Sequence, residues 1–518
     1  MSQTCRACAV LPVLTACILL SCVVRLAAQA VAPSEARAAR AFEEARKQGP
    51  PALRAFLYRM PKGADLHNHL GGAVYAETFI REAGADGICV DPAALRMDTK
   101  NHAPQCPPGE GAAKDVPADQ HLYDELIDAF SMRTFVPVTG ESGHDHFFDT
   151  FGRFGDDKRF AGEWIDEVAT RAAAQNEQYL ELMQTPSFAG AAAAADRLGW
   201  SEDLPKLTDK LLAEEGVHAN VKSAAAEFST ALKNRAAIEH CGQPEAKPGC
   251  SVTVRFLYQV LRGFPPQDVF AQTLVGFEVA SADPDVVGIN FVMPEDGYIS
   301  MRDYALQMHM LDYLHGRYPQ VHITLHAGEL SEGMVPPDGL KFHIRMAVEQ
   351  GHAERIGHGV DVMYEDRPWE LMKEMAERHT MVEVNLTSND VILNVKGNEH
   401  PFMLYRKAGV PVALSTDDEG VSRIDLTHEY VRASDTYLLS YRDLKLMVRT
   451  SVEHSFLPGA GLWEPVTPER LESPVAACRG QMGADKPAGA CAALIHSSEK
   501  AQQEWELERR FRAFETNY

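Results

Sequence analysis

The sequence predicts a (β/α)8 barrel carrying helical and disulfide-containing insertions. Eight short apolar runs recur along the 518 residues, and from the third run onward each interval has room for a helix and its loops. Strands alternating with helices argue for a parallel sheet, and eight such units argue for a closed barrel. Histidines and carboxylates also stand at the ends of the first, fifth, sixth and eighth runs, on the face where barrel active sites are built.

In chain order the runs are Ala64–Leu70, Tyr179–Gln184, Thr253–Gln259, Val286–Val292, His322–Ala327, Arg355–Val360, Met381–Leu386 and Pro411–Thr416. Residues 31–60, rich in Ala, Arg and Glu, precede them as a helical lead-in. The first interval is too long for one crossover helix. It holds the Pro/Gly-rich stretch Pro92–Pro117 and a helix around His121–Met132. The second holds helices and the Cys241–Cys250 loop. Both read as insertions, at about 85–178 and 186–251, on one barrel domain spanning 61–518. Met301–Tyr318 and Pro368–His379 supply crossover helices, and Ser497–Tyr518 has the charge and aromatic spacing of an amphipathic C-terminal helix.

Composition bounds the partners. With 45% hydrophobic and 24% charged residues the chain is an ordinary globular protein, but its net charge is −23. So acidic a surface repels nucleic acid and anionic membranes and disfavours polyanionic substrates, leaving a neutral nucleoside favoured over a nucleotide. Arg6, the apolar run Ala9–Val24 and the small-residue site Ala28-Gln29-Ala30 make residues 1–30 a signal peptide. The run falls short of the roughly 20 residues a membrane span needs. Leu19-Leu20-Ser21-Cys22 offers a competing lipoprotein box with Cys22 as the anchor, which Leu20 fits poorly. The expected location is therefore exported, periplasmic or secreted. Outside the leader six cysteines fall as near neighbours, Cys89 with Cys106, Cys241 with Cys250 and Cys478 with Cys491, and suggest local disulfides.

Four motifs carry the chemistry. In Asp65-Leu66-His67-Asn68-His69, residues two apart on a strand share a face, so His67 and His69 form half a zinc site. His326-Ala327-Gly328-Glu329 places a third imidazole at a strand end with an acid three residues on. Ile356-Gly357-His358-Gly359 adds a fourth imidazole between glycines, whose lack of a side chain lets backbone approach a ligand. Ser415-Thr416-Asp417-Asp418 ends the eighth strand with neighbouring carboxylates that face different ways. Singly, each is compatible with a core histidine or a helix cap. Together, on one face of a barrel, they describe a metal site with acid–base groups beside it.

With Met60–His69, His326–Glu329, Arg355–Gly359 and Ser415–Asp418 in this order, the chain from about Met60 to Ser422 resembles the adenosine deaminase family. The leader and the long first insertion resemble its secreted, growth-factor-related branch. The resemblance implies one Zn2+ per chain held by His67, His69, His326 and Asp417, and hydrolysis of adenosine and 2′-deoxyadenosine to inosine and ammonia. It implies three catalytic groups. His358 orients the attacking hydroxide, Asp417 accepts its proton, and a buried, protonated Glu329 donates to ring N1. Asp418 would meet N7, with His69, Gly72 and Met293 completing the substrate contacts.

Two positions depart from the family pattern. An Asp that usually follows the second histidine by two residues and meets a ribose hydroxyl is Gly71 here, followed by Gly72. In Gly288–Glu295 the usual substrate-contacting Gly is Met293, which crowds the pocket. Both bear on substrate identity and keep adenine or a modified adenosine open as alternatives. A non-catalytic binding barrel is the rival from another class. His144, His146, Glu181 and Trp164 are further candidates for substrate contact, with structural roles as the alternative. The insertions and tail helix are candidate contact surfaces for a homodimer.

Overall fold

A computed structural model describes residues 33–155, 157–464, 471 and 473–518. The proposed leader, with its cleavage site and Cys22, lies outside the described residues. Eight strands form one sheet in chain order: β1 Gly63–His69, β2 Glu177–Gln184, β3 Thr253–Leu261, β4 Val286–Val292, β5 His322–Ala327, β6 Arg355–His358, β7 Met381–Val384 and β8 Val412–Leu414. Every neighbouring pair is parallel. The barrel closes through a parallel bridge between Asn68 and Asp417. There the His69 amide donates to the Asp417 carbonyl at 3.0 Å and the Asp417 amide to the His67 carbonyl at 2.8 Å. The seam of the barrel thus runs through two of the chemical motifs. The fold is the predicted (β/α)8 barrel.

Crossover helices follow the expected intervals: Pro266–Ala282, Tyr304–Arg317, His343–Glu349, Pro368–Arg378 and Phe402–Ala408. The later strands are shorter than their apolar runs. The chain after Val384 turns at once into the helix Leu386–Leu393, and β8 ends at Leu414, before the two aspartates. The lead-in is two helices, Pro33–Gln48 and Pro50–Arg59, because Gly49 at φ 101° and the prolines after it break the run. The tail helix Glu499–Thr516 packs back on this lead-in, with Phe56 and Phe514 rings 5.2 Å apart. Lys445 ties the two together through Glu35 and Glu515.

The first insertion has structure that its Pro/Gly content did not announce. Ile88–Asp91 is the centre of a three-stranded antiparallel sheet with Arg96–His102 and Gly111–Ala112. The helices Gln120–Ala129, Gly143–Thr150 and Ala161–Ala174 follow. The second insertion supplies Ala189–Leu198, Leu204–Leu212 and Glu215–Ile238. The disulfides Cys89–Cys106, Cys241–Cys250 and Cys478–Cys491 are the three expected pairs. Among the described residues no helix is long and apolar enough to cross a membrane.

Candidate active site

The four sequence motifs converge at the C-terminal end of the barrel. The Nε2 atoms of His67 and His69 each lie 3.1 Å from Nε2 of His326, and each lies 3.2 Å from Oδ1 of Asp417. All four residues are buried. Three ring nitrogens and a carboxylate oxygen converging on one point are the donor set of a metal site. Zinc bonds of about 2.0–2.1 Å to nitrogen place tetrahedral ligands roughly 3.3 Å apart, close to the separations here.

The outer face of each imidazole confirms the fit. His67 Nδ1 is 2.6 Å from Glu383 Oε2, His69 Nδ1 is 2.7 Å from Gln259 Oε1, and His326 Nδ1 is 2.6 Å from Asn290 Oδ1. Each acceptor claims the Nδ1 proton, so each Nε2 turns a lone pair inward, the arrangement that positions imidazoles for a metal. Ser388 Oγ donates to Asp417 Oδ2 at 2.6 Å and leaves Oδ1 directed at the imidazoles. The charge balance is lopsided without a cation. Burial opposes charging His67, but its contacts with Asp417 and Glu383 push it up to about 10, while burial and the neighbouring His67, His69, His358 and Arg262 drive His326 well below its usual value.

Beneath the ligands, Glu383 also accepts from Thr324 at 2.9 Å and from Arg355 at 2.6 Å, and Arg355 bridges to Glu181 at 2.6 Å. Glu181, a candidate for substrate contact, therefore faces the barrel interior, where it also accepts from the Tyr179 hydroxyl and the Phe456 amide. The glycine before His358 has a use different from the one its position suggested. A Cβ on Gly357 would lie 2.5 Å from Cε1 of His67, so it makes room for an imidazole of the metal cluster.

Glu329, His358 and Asp417 form a second cluster sharing Asp417 with the first. Both His358, at φ 71°, and Asp417, at φ 61°, adopt left-handed backbone that non-glycine residues avoid, the kind of strain that collects at functional sites. Burial and the nearby Asp417 charge hold the Glu329 carboxyl well above its usual range. Burial likewise pushes Asp418 up to about 8. The Gly328 and Glu329 amides donate to the two oxygens of Glu295 at 3.0 and 2.7 Å, fixing the loop from which Glu329 projects. Gly72 lies so close to Asp418 that a Cβ would overlap the carboxylate.

The tautomer of His358 is legible from a hydrogen-bond chain. The Phe402 amide can only donate, and it meets His400 Nδ1 at 3.1 Å. His400 therefore carries its proton on Nε2 and donates to Asn389 Oδ1 at 3.0 Å. That orients the amide so that Asn389 Nδ2 donates to His358 Nδ1 at 2.9 Å. Burial holds both histidines neutral, each at about 3. The one proton of His358 is left on Nε2, which is buried and without a hydrogen-bond partner.

A cavity of about 800 Å³ opens onto the cluster, lined on its floor by His69, His326, Glu329, His358, Asp417 and Asp418. Gly71, Gly72 and Met293 also line it. Met293 sits at φ 94°, keeping a conformation that favours glycine. Its sulfur lies 3.3 Å from the Gly263 amide nitrogen, and a Cβ on Gly263 would meet its Cε at 2.7 Å, so the side chain is bedded against that glycine. Trp164 borders the cavity from a helix while its indole N–H donates to Glu82 at 2.8 Å. His144 and His146 pair instead with Asp296 and Glu141, away from the lining.

The structure brings together the four residues that the sequence proposed as ligands, and adds Glu383, Gln259, Asn290, Ser388, Asn389 and His400, which the sequence motifs did not single out. The first three are polar residues inside strand-like apolar runs, a signal visible in the sequence. The others lie in the β7–β8 connection, where nothing in the spacing singles them out.

The profile of the adenosine deaminase family matches residues 163–462. Adenosine deaminases from two strains of Clostridium perfringens, ATCC 13124 and SM101, are each 35% identical over 138 residues. That segment is 26% of this chain and spans 37% of each relative's length. Among solved structures, Arabidopsis ADAL complexed with IMP superposes with a TM-score of 0.50 at 20% identity, over 77% of this chain and 93% of that one. Adenine deaminase from Arthrobacter aurescens gives a TM-score of 0.47 at 16% identity, over 76% and 94% of the two chains.

Proposed function

The chain belongs to the adenosine deaminase family, and on that footing we propose that it hydrolytically deaminates adenosine and 2′-deoxyadenosine with one bound zinc ion. The observation that carries this reading is the convergence of Glu329, His358 and Asp417 on the His67–His69–His326 cluster. When bound, the ion would be held by the three imidazoles and Asp417 and would acidify water into a nucleophile at neutral pH.

The rest of the chemistry falls to the chain. Oxygen adds to C6 of the purine and ammonia leaves. Asp417, whose Oδ1 has no hydrogen-bond donor, accepts the proton of the attacking water and passes it to the departing amine, while the C6 hydroxyl proton returns to Glu329 as the carbonyl forms. The Nε2–H of His358 donates to that oxygen and holds it in line, in keeping with the tautomer derived above. Glu329, kept protonated by burial, donates to N1 as electrons move onto the ring. Purine N7 is an acceptor, so Asp418 must also donate, and a carboxyl pushed up to about 8 carries the needed proton at neutral pH. Two protonated carboxyls flanking C6 select a 6-aminopurine and orient it. The three disulfides support our further reading that the protein is exported.

The test is the ultraviolet change as adenosine becomes inosine, with metal content measured beside it and Glu329→Gln as control. Turnover that the control loses by about 10³-fold or more supports the reading, since an essential proton donor is gone. Metal bound with no turnover of any 6-aminopurine overturns it.

A further inference from the structure

Resting on that reading, we infer that the preferred substrate is a 6-aminopurine whose N9-side substituent ends in an apolar, ring-sized group. With C6 at the metal cluster, N1 at Glu329 and N7 at Asp418, N9 points away from the floor toward the mouth of the cavity. The chemistry of the walls there decides what the site reads.

Those walls are aromatic. Phe147, Phe148, Phe151 and Phe154 from the first insertion line the cavity with Phe79 and Trp164. They form a connected set: Phe79 and Phe154 stack with centroids 4.3 Å apart, Phe151 meets Phe147 at 5.7 Å and Phe154 at 5.6 Å, and Trp164 meets Phe79 at 5.6 Å. Trp164, buried behind this wall, supports it from the back with its N–H taken by Glu82. From the second insertion Phe188 closes the other side.

Lys158, Gln184, Thr185, Ser187 and Gln259 are the polar residues of the wall, and Lys158 Nζ donates to the Thr185 carbonyl. Gln259 spends its oxygen on His69 and its amide nitrogen on Thr185 at 3.0 Å. Among the described lining residues the only carboxylates are Glu329, Asp417 and Asp418, all at the purine end. At position 71 an added Cβ would meet nothing within 4 Å, so the place from which an acid would reach a sugar hydroxyl is open space. A ribose there meets no carboxylate, whereas an aromatic ring gains stacking and edge contacts with the phenylalanines. The size agrees: about 800 Å³ lies high in the roughly 300–1,000 Å³ range that drug-sized ligands fill.

The test compares kcat/KM for 9-methyladenine and 9-benzyladenine, with adenosine alongside, on the full metal-loaded enzyme. Apolar complementarity of this extent should favour the benzyl compound over the methyl one by at least ~10-fold. Phe151→Ala, at a half-buried position, should cut that ratio by roughly fivefold or more. A benzyl-to-methyl ratio below tenfold overturns the inference, and a ratio that Phe151→Ala does not move overturns its assignment to this wall. Turnover of adenosine with no benzyl advantage sinks the inference alone. Failure of all three compounds sinks the deaminase reading beneath it.

Discussion

The hydrogen-bond chain from Phe402 to His358 makes a prediction about one proton. A backbone amide cannot reverse its polarity, so the direction of every bond after it is fixed, and His358 is left with its hydrogen on Nε2. Asn389→Asp keeps the shape but replaces the donor at Nδ1 with a carboxylate. The proton of His358 then moves to Nδ1, and Nε2 becomes an acceptor facing the reacting oxygen. The interaction lost is one oriented donor to developing charge in a dry site, about 3–4 kcal/mol or roughly 10²–10³ in kcat. His400→Phe acts one step earlier. It leaves Asn389 free to turn, with one neutral hydrogen bond of about 1 kcal/mol lost and a rate decrease of roughly five- to tenfold. The assay is steady-state deamination at matched metal content, measured for each variant so that ligand loss is not mistaken for tautomer loss. Asn389→Asp with full metal and kcat within threefold of the parent would refute the assigned tautomer and His358's role as donor.

Four further outcomes follow from the same geometry. Glu383→Gln should weaken metal affinity by about 10- to 100-fold, because His67 loses the carboxylate that orients it; metal-competition titration reads this directly. Chelation should lower the unfolding temperature, and His326→Ala should abolish that metal-dependent difference, since the remaining ligands no longer form the cluster. Glu295 is held at about 2, burial being outweighed by His343, Arg262 and the Gly328 amide, against an ordinary value of 4.5. A depressed carboxyl stabilises above its unfolded value and loses that contribution as pH falls, so Glu295→Gln should remove about 3 kcal/mol at pH 6 and progressively less between 4.5 and 2, by urea denaturation of parent and variant at each pH. Gly263→Ala should destabilise by no more than about 1 kcal/mol as the flexible end of Met293 shifts aside, and Met293→Gly should relieve most of that in a double-mutant cycle.

The parts of this fold that the sequence discloses are those in which one local pattern decides one local structure. Val286–Val292 and His322–Ala327 are β4 and β5 to the residue, since buried parallel strands are simply apolar runs with abrupt ends. The proposed site residues were legible for a related reason: His67 and His69 share a strand face, His326 and His358 stand at the C-terminal ends of β5 and β6, and Asp417 and Asp418 follow β8. What spacing cannot convey is how distant segments meet. Glu383 belongs to the site only because β7 lies beside β6, two strands from β1 around the barrel seam, and Asn389 and His400 because the β7–β8 connection folds over His358. The Pro/Gly-rich stretch Pro92–Pro117 misled differently, since Arg96–His102 and Gly111–Ala112 within it become strands by pairing with Ile88–Asp91 just before it.

Met293 shows why a single departure from a family pattern is a poor guide to a pocket. Read alone, a methionine in place of glycine fills the space where substrate should lie. In the fold the backbone keeps the glycine-like conformation at φ 94°, a strain of order 1–3 kcal/mol, and the side chain is received by Gly263 across the β3 and β4 ends. The missing side chain at one position answers the added one at the other. Gly71 has no such counterpart, for its surroundings are empty. Of the two departures, then, the methionine is absorbed by the wall and the glycine is the one that changes what the cavity can bind.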